Sequence, residues 1–324
     1  MTQDNQTPEA WNTYWSGDQT GHAYSDHGSS QPALSEFWQR NLSALLLSSE
    51  PLKVLDLACG NGALTQLVES LKGTTEIDMH CLDASSSALA NVASRMPNIT
   101  TIESDMRPIP LADGGFDLVL SQFGTEYAGL GAFDEAARMV APNGTAIFVV
   151  HMQGGVIEAE SKYNHDATQA LMDSKFLGNT AKVVDLGFAQ MAENSPENTL
   201  RFKEACVPFN QSIVAVESIL TDYGVDVAAG TIHKLYNDVA NIVENLAKYD
   251  HSEIGQWLKG MANELAAYQL RMQSMLNAAI DQDQFDALKE NFETKGFSVA
   301  IAGSIIDTAQ DVHLSWAFKA QRTG

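Results

Sequence analysis

Val54-Leu55-Asp56-Leu57-Ala58-Cys59-Gly60-Asn61-Gly62-Ala63-Leu64 is an apolar run that ends in an acid and a small-residue turn. A continuous apolar run suits a strand buried on both faces, and Gly60-X-Gly62 supplies a turn in which absent side chains let backbone approach a ligand closely. Ala63-Leu64 then opens a helix. The stretch reads as the first strand-to-helix step of a doubly wound sheet, with a nucleotide-type cofactor loop at its end. A dinucleotide fingerprint requires a third glycine three positions past Gly62, where Thr65 stands, and the Walker lysine signature is missing as well.

Downstream segments extend the register. The residues 76–83 read as a second strand ending in Asp83, which lies 83 − 56 = 27 residues after Asp56, about where such a sheet reaches ribose hydroxyls. Residues 99–103 read as a third strand, closed by Ser104-Asp105-Met106. Phe116 to Phe123 makes a fourth, and Thr145 to His151 a fifth, introduced by the turn Pro142-Asn143-Gly144. Two late β-rich segments, 297–306 and 312–320, joined by Asp307-Thr308-Ala309-Gln310-Asp311, read as a C-terminal hairpin. Acids therefore close three successive strands.

This combination resembles motif I and the following strand ends of the class I S-adenosylmethionine-dependent methyltransferases, over about residues 52–152 and more loosely over the C-terminal strands. The resemblance implies an α/β fold: a Rossmann-like, doubly wound, mostly parallel seven-stranded sheet with an antiparallel C-terminal strand. It also implies S-adenosylmethionine as cofactor. By the same resemblance Asp56 and the backbone at Ala58, Gly60 and Gly62 lie around the methionine moiety. Asp83, followed by Ala84, bonds the ribose; Asp105 accepts from the adenine amino group, with Met106 flanking the ring. Gln122 and Phe123 stand where methyl donor and acceptor meet. Ala58 departs from the glycine usual in the family, a change of one methyl group.

Between His151 and Phe297 lies more chain than one crossover needs, and its periodicity is helical. Ile232, Leu235, Tyr236, Val239, Ile242, Val243 and Leu246 follow three-and-four spacing, as do Ile254, Trp257, Leu258, Met261, Leu265 and Tyr268. Ser252 is the expected cap of the second helix, Gly224 and Gly230 are breaks before the first, and shorter helices are expected over 167–177 and 183–191. The expected organisation is an aromatic N-terminal segment at 1–31, a cofactor domain at 32–153 and 290–324, and a helical insertion at 154–289. The insertion reads equally as an acceptor lid or a dimerisation surface. The N-terminal segment carries Trp11, Tyr14, Trp15, His22, Tyr24 and His27 among glycines, a pattern that suits either a gate over a sulfonium or plain packing.

Composition bounds the partners. Nineteen basic residues against forty-one acidic ones give a formal charge of −22 in 324 residues, which argues against nucleic acid and anionic membrane as partners. No apolar run approaches a bilayer span, and the polar start is unlike a signal peptide, so the expected location is cytoplasmic. Cys59, Cys81 and Cys206 show no metal spacing, and no metal is expected.

Methyl transfer from a sulfonium is an in-line displacement that orientation alone accelerates, by up to about 7 to 11 kcal/mol. If the acceptor must lose a proton, His151, Glu126 and Tyr127 are the candidate groups, His151 first by its titration range. The fourth strand ends Ser121-Gln122-Phe123-Gly124, without the Asn/Asp-Pro-Pro-aromatic motif of enzymes that methylate adenine or glutamine amides. A small organic metabolite is the expected acceptor. Two other readings stay open: a non-catalytic cofactor-binding interaction protein, and a nicotinamide-dependent oxidoreductase, against which Thr65 and the missing Tyr-X-X-X-Lys pair speak.

Overall fold

The computed structural model describes residues 7–17 and 31–324. Its parallel strands are β1 (Leu52–Leu57), β2 (Ile77–Asp83), β3 (Thr100–Glu103), β4 (Phe116–Gln122) and β5 (Val140–His151), and the antiparallel pair is β6 (Phe297–Asp307) and β7 (Val312–Arg322). They form one sheet in the order β3-β2-β1-β4-β5-β7-β6. β1 pairs in parallel with both β2 and β4, while β7 runs antiparallel to β5 and β6. This is the Rossmann-like, mostly parallel sheet expected from the sequence. Strand order reverses between β1 and β4, so the crevice at the carboxyl ends of these two strands is the topological switch point where ligands of such sheets bind.

Each sheet face is covered for a reason visible in the chain. Leu34, Trp38 and Leu42 of α2 (Pro32–Leu42), Leu64 and Val68 of α3 (Ala63–Leu71), and Leu89 and Val92 of α4 (Ser86–Arg95) pack on Val54, Leu118, Ile147 and Val149. The opposite face buries Phe133 and Met139 of α5 (Ala132–Met139) and Phe285, Leu288 and Phe292 of α11 (Gln282–Thr294) against Phe148, Phe318 and Ala320. Strands buried on both faces explain why their sequences run apolar rather than alternating. The helix α2 ends at Leu42.

The chain divides into two compact units, one of residues 1–160 and 273–324 and the other of 161–272. The second is helical and has its own core, with Phe176, Val183, Phe209, Val216, Ile232, Leu235, Val239 and Leu265 buried together. Its elements are most of α6 (Val156–Asp173), then α7 (Phe176–Ala192), α8 (Pro196–Tyr223), α9 (Thr231–Glu244) and most of α10 (His251–Ala278). A helix expected over 167–177 is instead split, because Lys175 at φ +56° breaks the chain between α6 and α7. Gly224 and Gly230 do bound helices, at the end of α8 and the start of α9. Ser252 is not the cap of α10. Asp250 does that work, its Oδ1 accepting from the amides of Ser252 at 2.8 Å and Glu253 at 3.2 Å. No helix among the described residues is long and apolar enough to cross a membrane.

At the switch point two non-glycine residues adopt left-handed backbone: Ala58 after β1 at φ +51° and Phe123 after β4 at φ +53°. The neighbouring Gly124 lies so near that a Cβ there would stand 2.4 Å from the Ala58 Cβ. Such an intrusion costs about 1 to 3 kcal/mol, and left-handed alanine itself about 1 to 2. Gly124→Ala is therefore expected to destabilise the fold by about 2 kcal/mol in urea unfolding. Adding Ala58→Gly should recover most of that loss, and equal losses in the single and double variants would refute the contact.

Candidate functional site

The cofactor-type loop is built from the sheet outward. β1 delivers Asp56, whose partner across the sheet is Cys81 of β2, and the chain then turns through Gly60 at φ +51° and Gly62 at φ +80° into α3. Asp83, at the carboxyl end of β2, holds the turn in place. Its Oδ2 accepts the Gly60 amide at 2.8 Å, and its Oδ1 accepts the Ser85 amide at 2.8 Å. Ser85 in turn caps α4, its Oγ accepting from the Ala88 amide. One carboxylate thus ties the β1 loop to the start of α4. Burial raises the Asp83 carboxyl above its ordinary range, and the amides of Ser85, Gly60 and Ala84 pull against that rise.

Asp56 is 1% exposed, and its Oδ2 accepts the Thr65 hydroxyl at 2.6 Å. Thr65, itself wholly buried, also meets Cys81 Sγ at 3.0 Å. The residue that breaks the dinucleotide pattern is therefore the partner of the first acid. Desolvation pushes the Asp56 carboxyl up to about 7, against the Thr65 bond that favours its ionised form, with Asp83 adding to the rise. The Cys59 thiol is held well above its usual range, first by its bond to Cys81 and then by burial, so it is no nucleophile.

The glycines serve packing as well as conformation. A Cβ on Gly60 would stand 2.7 Å from the ring of Trp15, and one on Gly62 would stand 2.9 Å from Met96. Trp15 belongs to α1 (Thr7–Gly17), which is fastened over the loop by its own polar groups. Asn12 Oδ1 accepts from Ser85 Oγ at 2.6 Å and from the Ser87 amide at 3.3 Å, and the Trp15 carbonyl accepts from Asn91 Nδ2 at 2.8 Å. The remaining aromatic candidates of this segment, His22, Tyr24 and His27, lie outside the described residues.

Asp105 is exposed just past β3, its Oδ1 accepting the Arg107 amide at 3.3 Å, and Met106 beside it is 6% exposed. Ala84 is exposed next to Asp83. Gln122, at the end of β4, turns toward α2, where its Oε1 accepts from Trp38 Nε1. Phe123 instead meets the ring of His151, with centroids 4.6 Å apart.

Three residues that the sequence offered separately are brought together at the ends of β4 and β5. Glu126 lies in a 3-10 turn (Thr125–Ala128), and His151 ends β5. Glu126 Oε1 accepts from the His151 amide at 2.9 Å and pairs with His151 Nδ1 at 2.6 Å, both side chains being nearly fully buried. Tyr127 sets its ring edge-on to His151, with centroids 5.5 Å apart, and meets Trp11 of α1 at 5.5 Å on another side. Sequence reasoning missed Asn12, Asn91 and Thr65. Their signal lies in hydrogen bonds between distant segments, for which the sequence has no periodic trace.

A mostly parallel sheet with a switch-point crevice, a carboxylate at the end of β2 and a second just past β3 make a Rossmann-like fold. Residues 54–144 match the family described as methyltransferase domain. The chain is 31% identical over 87 residues to demethylmenaquinone methyltransferase of Thermotoga maritima, covering 27% of this chain and 37% of that one. It is 29% identical over 147 residues to malonyl-[acyl-carrier protein] O-methyltransferase of Pseudescherichia vulneris, covering 44% and 55%. The chain thus spans about half or less of the length of these curated relatives. Among solved structures, an S-adenosylmethionine-dependent methyltransferase from Mesorhizobium loti aligns at 22% identity and a TM-score of 0.30, covering 35% of this chain and 54% of that one.

The residues present fit an adenosyl group. An ionised carboxylate has about four lone-pair sites, so Asp83 keeps acceptor capacity for a hydroxyl beyond the amides it already holds. Asp105 presents an exposed acceptor at the next strand end, and Met106 offers apolar surface beside it.

The Asp56 titration gives a sign that can be tested. Its carboxyl ionises near 3.8 in the unfolded chain and near 7 in the fold, so between these values the folded state holds more protons. The neutral acid therefore favours the fold, and stability falls as pH rises through that window. Asp56→Asn keeps an acceptor for Thr65 and removes the titration. Thermal melts from pH 5 to 8 should show the wild type losing roughly a few degrees relative to this variant, and parallel profiles would disprove a raised Asp56.

Proposed function

We propose that this protein transfers a methyl group from S-adenosylmethionine to a small organic acceptor. The observation that carries the reading is the Asp83 carboxylate, fixed by two backbone amides at the end of β2 with acceptor capacity to spare. In this reading Asp83 holds the ribose hydroxyls, Asp105 accepts from the adenine amino group, and Met106 flanks the ring. Gly60, Gly62 and Ala58 shape the loop that the methionine end passes. Bound there, the cofactor supplies an electrophilic methyl carbon on a sulfonium.

The chain's own contribution is orientation and proton management. Glu126 holds the His151 ring by Nδ1, which places the proton of the neutral imidazole on that nitrogen and the basicity on Nε2. His151 then takes the acceptor's proton, and the Glu126 carboxylate stabilises the imidazolium that results. Phe123 and Tyr127 wall the ring and limit water around it. The relatives that act on demethylmenaquinone and on malonyl-acyl-carrier protein support small-acceptor chemistry in general and differ in the acceptor.

Titration calorimetry with S-adenosylhomocysteine tests the cofactor assignment. Asp83→Asn should weaken binding by about 10- to 100-fold, the loss of a charged acceptor being worth about 1.5 to 3 kcal/mol. The exposed Asp105→Ala should cost less, about 3- to 10-fold, with no change in melting temperature. Absence of heat with the wild type would end the reading.

In steady-state kinetics His151→Ala should lower kcat by about 100-fold or more while leaving S-adenosylhomocysteine affinity within about twofold. Undiminished kcat would remove His151 from proton transfer.

A further inference from the structure

The charge of the acceptor end is the least explained feature of the site. Glu126 is 4% exposed, and its two oxygens are unequal: Oε1 serves His151 twice, whereas Oε2 meets no donor among the described residues. A buried carboxylate oxygen without a donor is costly, by about 1 to 3 kcal/mol or more, and a site that keeps one has a use for it. Among the described residues no Lys or Arg bonds Glu126. Exposed Arg107 lies against Gly131, and Arg95 is spent on the Asn61 carbonyl.

Among the described residues the surroundings add no Lys or Arg partner. The α1 helix, which brings Trp11 to Tyr127, carries Glu9 as its one charged residue, and no Lys or Arg occurs in residues 1–39. Around Glu126 and His151 stand the rings of Phe123, Tyr127 and Trp11, whose faces attract cations. Glu126 thus brings an acid to the ring end, and the only basic side chain bonded to it among the described residues is His151. The whole chain, at −22, steers cations inward and repels anions.

Resting on the methyl-transfer reading, we infer that the acceptor is an amine that arrives as its ammonium form, recognised by Glu126 and the aromatic rings about His151. The ammonium gives one proton to the His151 imidazole, which frees the nitrogen lone pair. That pair forms the new N–C bond to the methyl carbon as the S–C bond breaks, its electrons remaining on sulfur. The products are the N-methylated ammonium, S-adenosylhomocysteine and an imidazolium beside Glu126 that returns its proton to solvent. For carboxylate and phosphate acceptors, no Lys or Arg among the described residues bonds Glu126 or His151 to offer a counter-charge.

The test offers the full chain a series of aliphatic, aromatic and heterocyclic skeletons, each as matched amine, alcohol and carboxylate, with methyl-labelled S-adenosylmethionine. Label should enter amines at least about tenfold faster than their matched alcohols and carboxylates. Glu126→Gln should raise KM for the best amine by about tenfold or more while calorimetry with S-adenosylhomocysteine stays unchanged, which also shows that the variant is folded. Label entering carboxylates or alcohols preferentially overturns the inference. So does calorimetric binding of S-adenosylhomocysteine with no amine labelled, an outcome that leaves cofactor binding standing; absence of that binding heat defeats the underlying reading instead.

Discussion

The bond between the Asp83 carboxylate and the Gly60 amide is the constraint on which the site depends. A loop leaving the end of a buried parallel strand has amides that cannot all reach water, and an unpaired one would cost about as much as the fold can spare. β2 solves this by ending in an acid at the height of the β1 loop, a consequence of the register that pairs Leu57 with Leu82. The same carboxylate takes the Ser85 amide and so fixes the start of α4. Removing it would loosen the loop and the start of the helix together.

Beneath that bond lies a second arrangement with the opposite electrostatics. Asp56 is buried with the Thr65 hydroxyl as its hydrogen-bond donor, and a carboxyl in that position avoids much of the desolvation cost by carrying its proton to about pH 7. Two acids 27 residues apart in the chain thus divide the work: one holds Thr65 of α3, and the other holds the Gly60 and Ser85 amides. The Thr65 that excludes a dinucleotide fingerprint is the residue that makes a buried acid tolerable.

Much of the sheet was legible because its strands are apolar runs punctuated by acids and turns, and each acid falls where a parallel strand must end. The strands 77–83, 116–122 and 297–307 begin and end within one or two residues of the reading from pattern alone. The helix α8 was not legible: Pro208 lies inside it, and Leu200, Val207 and Val214 are exposed on it, so neither its breaker residue nor its apolar pattern announces a 28-residue helix. The Glu126–His151 pair was visible only as two separate candidates. Their meeting needs the parallel pairing of β4 with β5, where Gln122 aligns with Val149, a long-range fact with no local signature.

Strain completes the account of the switch point. Ala58 and Phe123 both hold left-handed backbone that costs a non-glycine residue about 1 to 2 kcal/mol, and they follow the two strands between which the sheet reverses order. Glycine at either position would remove the cost, yet each side chain has a use. The Phe123 ring lies on His151, and the Ala58 methyl presses on Gly124, limiting how the β4 turn can approach the β1 loop. Backbone strain at these two points therefore holds the Phe123 and His151 rings in register with the loop after β1. Were the proposed methyl transfer to take place there, it would draw on that fixed geometry, because in-line displacement depends on orientation.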